Sequence, residues 1–287
     1  MLSYQHAYHA GNLADVQKHA LLAWTLDYLT RKDKPLSYIE THAGRGLYRL
    51  TGAEAQKTGE AAQGILRHGG WFPAGHPYRE RLDEVRAMYG ADAYPGSPLL
   101  AALGLRETDS IHLAELHPQE HAALAEALSP WGAHIHKGDG LDLALALCPP
   151  TPRRGLLLCD PSYEVKDDYD RIPKVFAQLA RKWNVGTLIL WYPILRGAPH
   201  LPMIRALEAQ HPDHLTHEVR FPPAREGHRM EGSGMLFVNP PWGLEEEAAR
   251  LTARFKELPV WTFTPATCSP KPALREIPWP LSLGPMT

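Results

Sequence analysis

The sequence has few cysteines and no clear excess of charge of either sign. Only three of its 287 residues are cysteines, and 30 Lys+Arg are nearly balanced by 32 Asp+Glu, which leaves a formal net charge of −2. Cys148, Cys159 and Cys268 lie far apart, so their spacing indicates neither a disulfide framework nor a metal site, as expected in a reducing cytosol. Total charge therefore gives no argument for a nucleic-acid partner.

Long hydrophobic runs are missing as well. The longest early apolar stretch, residues 21–29, is interrupted by Thr25 and Asp27 and is too short to span a bilayer. The first residues, MLSYQHAYHAGN, are polar and His-rich, unlike a signal peptide. With 44% hydrophobic and 22% charged residues, the composition is that of an ordinary globular protein. We therefore expect a soluble cytoplasmic protein without a membrane partner.

Predicted strands and helices alternate along most of the chain. Strands are expected at 37–40, 111–116, 134–137, 156–159, 187–191, 214–221 and 235–238. Helical periodicity separates the first five of these strands, a pattern typical of a doubly wound parallel sheet, whereas the last two strands form a hairpin. We predict an α/β fold with a mostly parallel seven-stranded sheet, helices on both faces and a final antiparallel strand.

The most informative stretch is Leu156–Tyr163, where a short apolar run leads directly into Asp-Pro-Ser-Tyr. The residue before a proline is disfavoured in a helix, so the strand should stop at Asp160. The carboxylate then lies just past the carboxyl end of a buried strand, where open α/β sheets bind their ligands. Asp or Asn followed by Pro, Pro and an aromatic residue is the pattern of enzymes that methylate the exocyclic amino group of adenine.

The residue types of this motif fit that chemistry. The adenine amino nitrogen is a poor nucleophile because its lone pair is delocalised into the ring. The Asp160 carboxylate and the backbone carbonyl of Pro161 can accept both N–H hydrogens, and the Tyr163 ring can stack on a base taken out of its strand. We therefore predict these three residues as catalytic, with Tyr163 also binding substrate. Ser162 replaces the second proline, so the match is incomplete.

Polar or flexible residues also follow the first three predicted strands. Gly44 and Gly46 follow the first strand, Glu115 ends the second and Asp139 follows the third. Taken singly, each is as consistent with an ordinary turn or a solvated strand end as with a site. In this order, ahead of the Asp160 motif, they are expected of a site for S-adenosylmethionine. Glu115 would face the ribose hydroxyls, and Asp139 the adenine amino group.

The distance between the first two of these strands predicts an insertion. Glu40 and Glu115 are much farther apart than the roughly 20 residues of a tight βαβ unit. An inserted segment at 48–94, with one helix expected near 78–89, accounts for the difference. It contains six Lys+Arg and six Asp+Glu, so its formal charge is zero. The proline-rich residues 268–287 are expected to form an irregular tail.

Two other patterns compete with this interpretation. Asn239-Pro240-Pro241-Trp242 matches the adenine-methylase pattern better than the Asp160 motif does. It ends the predicted hairpin, and only 45 residues follow it, too few for a cofactor-binding half, so we interpret it as a structural turn. His6 and His9 have a spacing that could suggest a metal, but no further Cys or carboxylate completes a ligand set. We predict no metal site.

Motifs spread over residues 1–242 together resemble one protein family. They are MLSYQHAYHAGNLADVQKH, THAGRGLYRL, YPGSPLLA, LAELHP, GDG, DPSY, LWYP and SGMLFVNPPW. In this order they resemble the 23S ribosomal RNA adenine-N6 methyltransferase J family, and the N-terminal block is the most specific of them. The resemblance implies a Rossmann-like methyltransferase domain over 1–287, with an N-terminal active-site segment at 1–20 and a helical subdomain inserted at 48–94.

The resemblance also implies roles for individual residues. The implied cofactor contacts are Lys18, His19, His42, Ser97, Glu115, Asp139, Gly140 and Asp160. Tyr4 and His6 fall where the family's N-terminal segment covers the active site and meets the RNA. Family members have a proline at the position of Ser162, but the acceptors on Asp160 and Pro161 survive this change.

The function implied is methyl transfer from S-adenosylmethionine to the N6 atom of an adenine in 23S ribosomal RNA. The resemblance leads us to expect action before full subunit assembly and no obligate protein partner. One alternative is a DNA adenine-N6 methyltransferase, although no target-reading domain is visible in the sequence. Another is an RNA-associated protein that binds the cofactor but is catalytically weak because of Ser162.

Overall fold

A computed structural model describes residues 5–225 and 227–259, and its centre is a seven-stranded sheet. The strands of the chain are β1 (Ser37–Glu40), β2 (Leu47–Arg49), β3 (Ala93–Pro95), β4 (Ser110–Glu115), β5 (His134–Lys137), β6 (Gly155–Cys159), β7 (Thr187–Leu195), β8 (His214–Arg220) and β9 (Met230–Val238). The sheet has the order β5-β4-β1-β6-β7-β9-β8, and only β9 runs antiparallel to its neighbours. The predicted sheet is thereby confirmed.

Helices cover both faces of this sheet. They are α1 (Leu13–Thr30), α2 (Ala53–Thr58), α3 (Glu60–Gln63), α4 (Ile65–His68), α5 (Pro77–Tyr89), α6 (Ser97–Gly104), α7 (Pro118–Leu128), α8 (Gly140–Leu147), α9 (Asp168–Lys182), α10 (Leu201–Gln210) and α11 (Leu244–Lys256). Successive strand residues point to opposite faces. Tyr38 and Leu156 therefore pack with α1, α6 and α11, whereas Ile39 and Leu157 pack with α8, α9 and α10. Among the described residues, no helix is both long and apolar enough to cross a membrane.

The structure corrects several boundaries predicted from the sequence. β7 continues to Leu195 and β9 begins at Met230, because these strands pair with each other beyond the end of β6. α11 was not predicted at all. Gly96 is the N-cap of α6, and the Ser97 hydroxyl does not cap this helix but donates to the buried carboxylate of Glu40 at 2.5 Å.

The segment between β2 and β3 contains four helices, α2 to α5. The two strands pair antiparallel, with Leu47 opposite Pro95, so the ends of the segment are held together. Its apolar side chains, among them Ile65 and Phe72, belong to the same core cluster as Val16 on α1. The segment therefore packs directly on α1.

Helix α1 is buried along most of its length, including its polar residues. Asn12 caps it by accepting a hydrogen bond from the Asp15 amide at 2.9 Å. Asp15, Lys18 and His19, in its first two turns, are all buried. Buried charges are stable only with partners, so α1 brings polar groups into the interior near the carboxyl edge of the sheet.

Candidate active site

A cavity of about 930 Å³ opens at the carboxyl edge of the parallel strands. It is lined by the start of α1, by the loops that follow β1, β4, β5 and β6, by the end of β7 and by the loop between β8 and β9. The sequence-predicted residues that line it are His6, Lys18, His19, His42, Ser97, Glu115, Asp139, Gly140, Asp160, Pro161 and Tyr163. Tyr4 lies outside the described residues, as does the tail at 268–287. The fold thus brings together every predicted site residue that the structure describes.

A buried lysine lies between two carboxylates at the centre of this cavity. Lys18 Nζ is 2.6 Å from Asp160 Oδ2 and 3.1 Å from Asp15 Oδ1. Burial opposes a charged amine, but the two carboxylates outweigh it and raise the pKa of Lys18 above its usual range. Asp160 Oδ1 has no hydrogen bond with any described residue. One oxygen of the motif carboxylate is therefore fixed, and the other can accept a hydrogen bond from a ligand.

Asp15 also holds the N-terminal segment in place. Its Oδ2 atom accepts the Gly11 amide at 2.8 Å and lies 2.8 Å from His6 Nε2. Although burial opposes it, His6 and Lys18 hold the pKa of Asp15 well below its usual range. This carboxylate thus connects the segment before α1 to the Lys18–Asp160 pair.

His19 is buried and His42 is partly buried, and both rings are neutral. His19 Nδ1 lies 2.8 Å from the Tyr94 hydroxyl, and burial lowers the pKa of His19 to about 3. His42 Nδ1 lies 2.7 Å from the Thr41 hydroxyl, and burial lowers its pKa to about 4. Neither ring contributes positive charge near neutral pH, so each can act only as a neutral donor or acceptor.

Backbone amides fix the position of Glu115 at the end of β4. Its Oε2 atom accepts the Gly44 amide at 2.8 Å, and its Oε1 atom accepts the His117 amide at 2.7 Å. Each carboxylate oxygen can accept a further bond. Burial raises the pKa of Glu115, against the effect of both amides. The geometry suits a ligand that donates two hydroxyl groups, as a ribose does.

Asp139 has a partner that the sequence did not predict. Its Oδ1 atom caps α8 by accepting the amides of Leu141 and Asp142 at 2.9 and 3.0 Å. Arg171 donates to both oxygens, at 2.7 Å to Oδ2 and 3.0 Å to Oδ1. Burial opposes ionisation, but Arg171 lowers the pKa of Asp139. Contact of Asp139 with an adenine amino group stays a prediction, and a ligand there would meet a carboxylate already held by Arg171.

Tyr163 is packed more tightly than a free stacking ring. Its φ angle is 56°, its side chain is in the core with the residue 8% exposed, and its hydroxyl donates to the Trp191 carbonyl at 2.8 Å. The Trp191 ring lines the same cavity, with Lys18 Nζ 5.7 Å from its centroid. Stacking of Tyr163 on a base stays a prediction, and Trp191 offers a second aromatic surface beside it.

The competing proline motif lies away from this cavity. Because β9 runs antiparallel, Asn239 emerges at the opposite edge of the sheet, where its Nδ2 atom donates to the Gly186 carbonyl at 3.0 Å. Its own carbonyl accepts the Thr187 hydroxyl at 2.9 Å. Trp242 is 82% exposed and does not line the cavity. These contacts agree with a structural turn.

Four residues around the cavity were not predicted as site residues. Asp15 and Glu40 could have been found, because Asp15 shares a helix turn with Lys18 and Glu40 ends β1 just as Glu115 ends β4. Nothing in the sequence distinguished Arg171 from an ordinary surface residue, because it lies on a charged turn of α9. Trp191 continued an apolar strand, so it looked like core. Within 5–225 and 227–259, no group of three or more His, Cys, Asp or Glu could hold a metal ion.

The cavity wall presents groups that suit S-adenosylmethionine in hydrogen bonding and in charge. A Cβ atom on Gly140 would lie 1.8 Å from the Thr41 carbonyl oxygen, so glycine allows the loops after β1 and β5 to approach closely. Glu115 offers acceptors for ribose hydroxyls, and the carboxylates of Asp15 and Asp160 lie where a positive sulfonium would be favoured. A doubly wound sheet with such a wall defines the class of Rossmann-like methyltransferases.

Comparison with known proteins identifies the family within this class. Residues 33–258 match the model of the family described as ribosomal RNA large subunit methyltransferase D, RlmJ. The chain is 39% identical to ribosomal RNA large subunit methyltransferase J of Escherichia coli, and the match covers 86% of this chain and 90% of that protein. The Haemophilus influenzae protein of the same name is 37% identical, with the same coverage.

A solved structure agrees with these sequence matches. The crystal structure of a protein from Legionella pneumophila superposes with a TM-score of 0.77 at 32% identity, covering 86% of this chain and 93% of that one. The chain therefore belongs to the RlmJ family of ribosomal RNA large subunit methyltransferases, and the resemblance noted in the sequence is confirmed. Membership makes it a methyltransferase with S-adenosylmethionine as its cofactor.

Proposed function

We propose that this protein transfers a methyl group from S-adenosylmethionine to the exocyclic N6 of an adenine in 23S ribosomal RNA. The observation that carries the proposal is the position of Asp160 in the cavity. Its Oδ2 atom is fixed by Lys18 at 2.6 Å, while its Oδ1 atom has no partner among the described residues. The two curated relatives described above are large-subunit rRNA methyltransferases by name.

The order of the loops along the sheet edge supports a division of the cavity into two parts. Going from β5 through β4 and β1 to β6, the loops present Asp139, Glu115, Gly44 and Asp160. We assign this side to the cofactor. Beyond β6 lie Trp191 and the rest of β7, and we assign this side to the target adenine. Asp160 stands at the boundary, where the methyl group must cross.

Asp160 and Pro161 would act on the amino group of the adenine. The free Oδ1 of Asp160 accepts one N–H, and the Pro161 carbonyl accepts the other, which localises the nitrogen lone pair towards the methyl donor. The cofactor supplies the electrophilic methyl group when bound. Asp160 can also take up the amine proton as the methyl group moves. Lys18 keeps the carboxylate oriented throughout.

His6 and Tyr4 are proposed to act on the substrate side, as part of the active-site segment 1–20. His6 is anchored to α1 through Asp15 at 2.8 Å, so the segment is tied to the catalytic pair. We further propose that the insertion at 48–94 orients the RNA, and that the enzyme acts in the cytoplasm before full subunit assembly without an obligate protein partner.

Mapping of N6-methyladenine in 23S ribosomal RNA tests this function directly. The RNA is compared between cells with the gene, cells without it and cells complemented with a plasmid copy. We expect one N6-methyladenine site that is lost with the gene and restored by the copy. An unchanged modification pattern in the 23S RNA would overturn the proposal.

A further inference from the structure

Two arginines at the cavity have no partner for their charge among the residues that the structure describes. Three arginines line it, and Arg171 is bonded to Asp139 and Asp142 at 2.7 to 3.0 Å. The side chains of Arg225 and Arg229 make no hydrogen bond or ion pair within residues 5–225 and 227–259, and both are exposed. An arginine fork without an internal partner is available for an anion.

The backbone that carries these arginines is held at several points. Gln63 of the insertion donates to the Ala224 carbonyl at 3.2 Å. The amide of Arg196 donates to the Arg229 carbonyl at 3.0 Å, and the amide of His228 donates to the Arg225 carbonyl at 3.1 Å. A fixed backbone lowers the entropy lost when the side chains bind a ligand. The two arginines are therefore presented from defined positions.

The two ends of the cavity differ in which described basic side chains already have a partner. On the cofactor side, Lys18 is paired with Asp160 and Arg171 with Asp139, so neither cation is free to bind a phosphate. The loop between β8 and β9 lies beyond β6 and β7 in the sheet order, on the side assigned to the target base. Glu60 also lines this end, but its oxygens lie 2.9 Å from His9 Nδ1 and 3.0 Å from Asn12 Nδ2.

We infer that Arg225 and Arg229 bind the phosphodiester groups that flank the target adenosine in the RNA strand. A base that enters the cavity between Asp160 and Trp191 leaves its sugar and phosphates at the rim, where the two guanidinium groups stand. Arginine is suited to phosphate because its planar fork donates two parallel hydrogen bonds. This inference rests on the proposed function, because it takes RNA as the substrate.

The salt dependence of RNA binding tests the inference independently of methyl transfer. Deproteinised 23S ribosomal RNA is titrated with the full chain in the presence of S-adenosylhomocysteine, between about 50 and 200 mM salt. The variants are Arg225→Ala, Arg229→Ala, both together, and the corresponding lysine substitutions. Arg205→Ala is the matched control, because Arg205 is an exposed arginine on α10 that does not line the cavity.

Each alanine variant should lower the slope of log K against log salt by about 0.7 to 1, and the double variant should weaken binding at low salt roughly tenfold. The lysine variants should keep the slope, and Arg205→Ala should match the wild type. Affinity for S-adenosylhomocysteine should be the same in all of them.

An unchanged slope in the double variant overturns the inference, even if the wild type methylates the RNA. A wild type that binds RNA as expected but transfers no methyl group overturns the proposed function instead.

Discussion

Lys18 neutralises two carboxylates at the centre of the site. One buried ammonium serves two carboxylates, Asp160 at 2.6 Å and Asp15 at 3.1 Å. Removal of the lysine leaves two buried carboxylates without their shared cation, whereas neutralisation of Asp160 still leaves Lys18 with Asp15. The two substitutions therefore differ in what they leave unpaired.

We predict that Lys18→Met lowers the free energy of unfolding by about 3–5 kcal/mol, as expected when one partner of a buried ion pair is lost. Asp160→Asn should cost about 1.5–3 kcal/mol, the value of one hydrogen bond to a charged group. Urea denaturation of both variants and the wild type gives the comparison. An equal loss in the two variants would mean that Asp15 does not share the lysine.

Glu40 gives the folded protein a specific dependence on pH. It is fully buried, and burial raises its pKa to about 8, against the hydroxyl donors Ser97 and Tyr38. The unfolded chain releases this proton near the ordinary value of 4.5. Between these two values the folded state binds more protons than the unfolded state, so the free energy of unfolding decreases as the pH rises.

We predict that Glu40→Gln removes this decrease. Relative to the wild type, the melting temperature of the variant should rise steadily from pH 5 to pH 8, because a neutral amide carries no such proton. Thermal melting at several pH values measures the difference. A difference that stays constant across this range would show that Glu40 has an ordinary pKa in the folded protein.

The turn from β5 into α8 forms part of the cavity wall that we assign to the cofactor. Gly140 faces the Thr41 carbonyl, and a Cβ atom there would lie 1.8 Å from its oxygen. Gly138, two residues earlier, has open space around its would-be Cβ, and its φ lies outside the left-handed region. The same substitution at these two positions therefore separates steric contact from the general effect of replacing glycine.

We predict that Gly140→Ala lowers the affinity for S-adenosylhomocysteine at least about tenfold or prevents folding, since backbone atoms of two loops must move apart. Gly138→Ala should bind almost as the wild type does. Calorimetry and thermal melting on both variants decide between these outcomes. Normal binding by Gly140→Ala would remove this turn from the cofactor site.

Sequence patterns predicted the elements that are buried on both faces. β1 and β6 are buried at every residue, and the ends predicted for them were correct to within one residue. The ends of β7 and β9 were wrong because they depend on pairing between Leu195 and Met230, which is not local information. Helix α11 was missed, although acidic residues fill its first turn and basic residues its last.

The site residues that could be predicted from the sequence are those that lie at or just after the end of a predicted strand. Glu115, Asp139 and Asp160 each stand at or directly after the carboxyl end of a parallel strand, and topology alone brings such ends to one edge. The pairing of Arg171 with Asp139 joins residues far apart in sequence, and no pattern predicts it. The resemblance to one family supplied Lys18, whose pairing with Asp160 likewise joins distant residues.

The whole molecule carries little net charge to attract RNA. The chain has a formal charge of −2, and the insertion at 48–94 has six basic and six acidic residues. Basic residues also form ion pairs within the protein: Arg45 is 2.6 Å from Glu120, and Arg106 is 2.9 Å from Asp109. Recognition of RNA must therefore depend on shape and on a few specific contacts.

We predict that the free protein binds RNA with modest affinity and a shallow salt dependence, because few phosphates are neutralised. Arg225 and Arg229 should account for a large share of that slope. Filter binding over a salt series measures it. A steep loss of affinity with added salt would instead point to a broad basic face formed by folding.

The central claim is that the cavity at the carboxyl edge, and Asp160 within it, methylates adenine in ribosomal RNA. The most direct measurement is single-turnover formation of N6-methyladenine on deproteinised 23S ribosomal RNA by the wild type, Asp160→Ala and Asn239→Ala, with thermal melting in parallel. We predict that Asp160→Ala is folded but inactive, whereas Asn239→Ala melts at a lower temperature yet still transfers the methyl group. An active Asp160→Ala beside a folded, inactive Asn239→Ala would contradict this account and assign catalysis to the other motif.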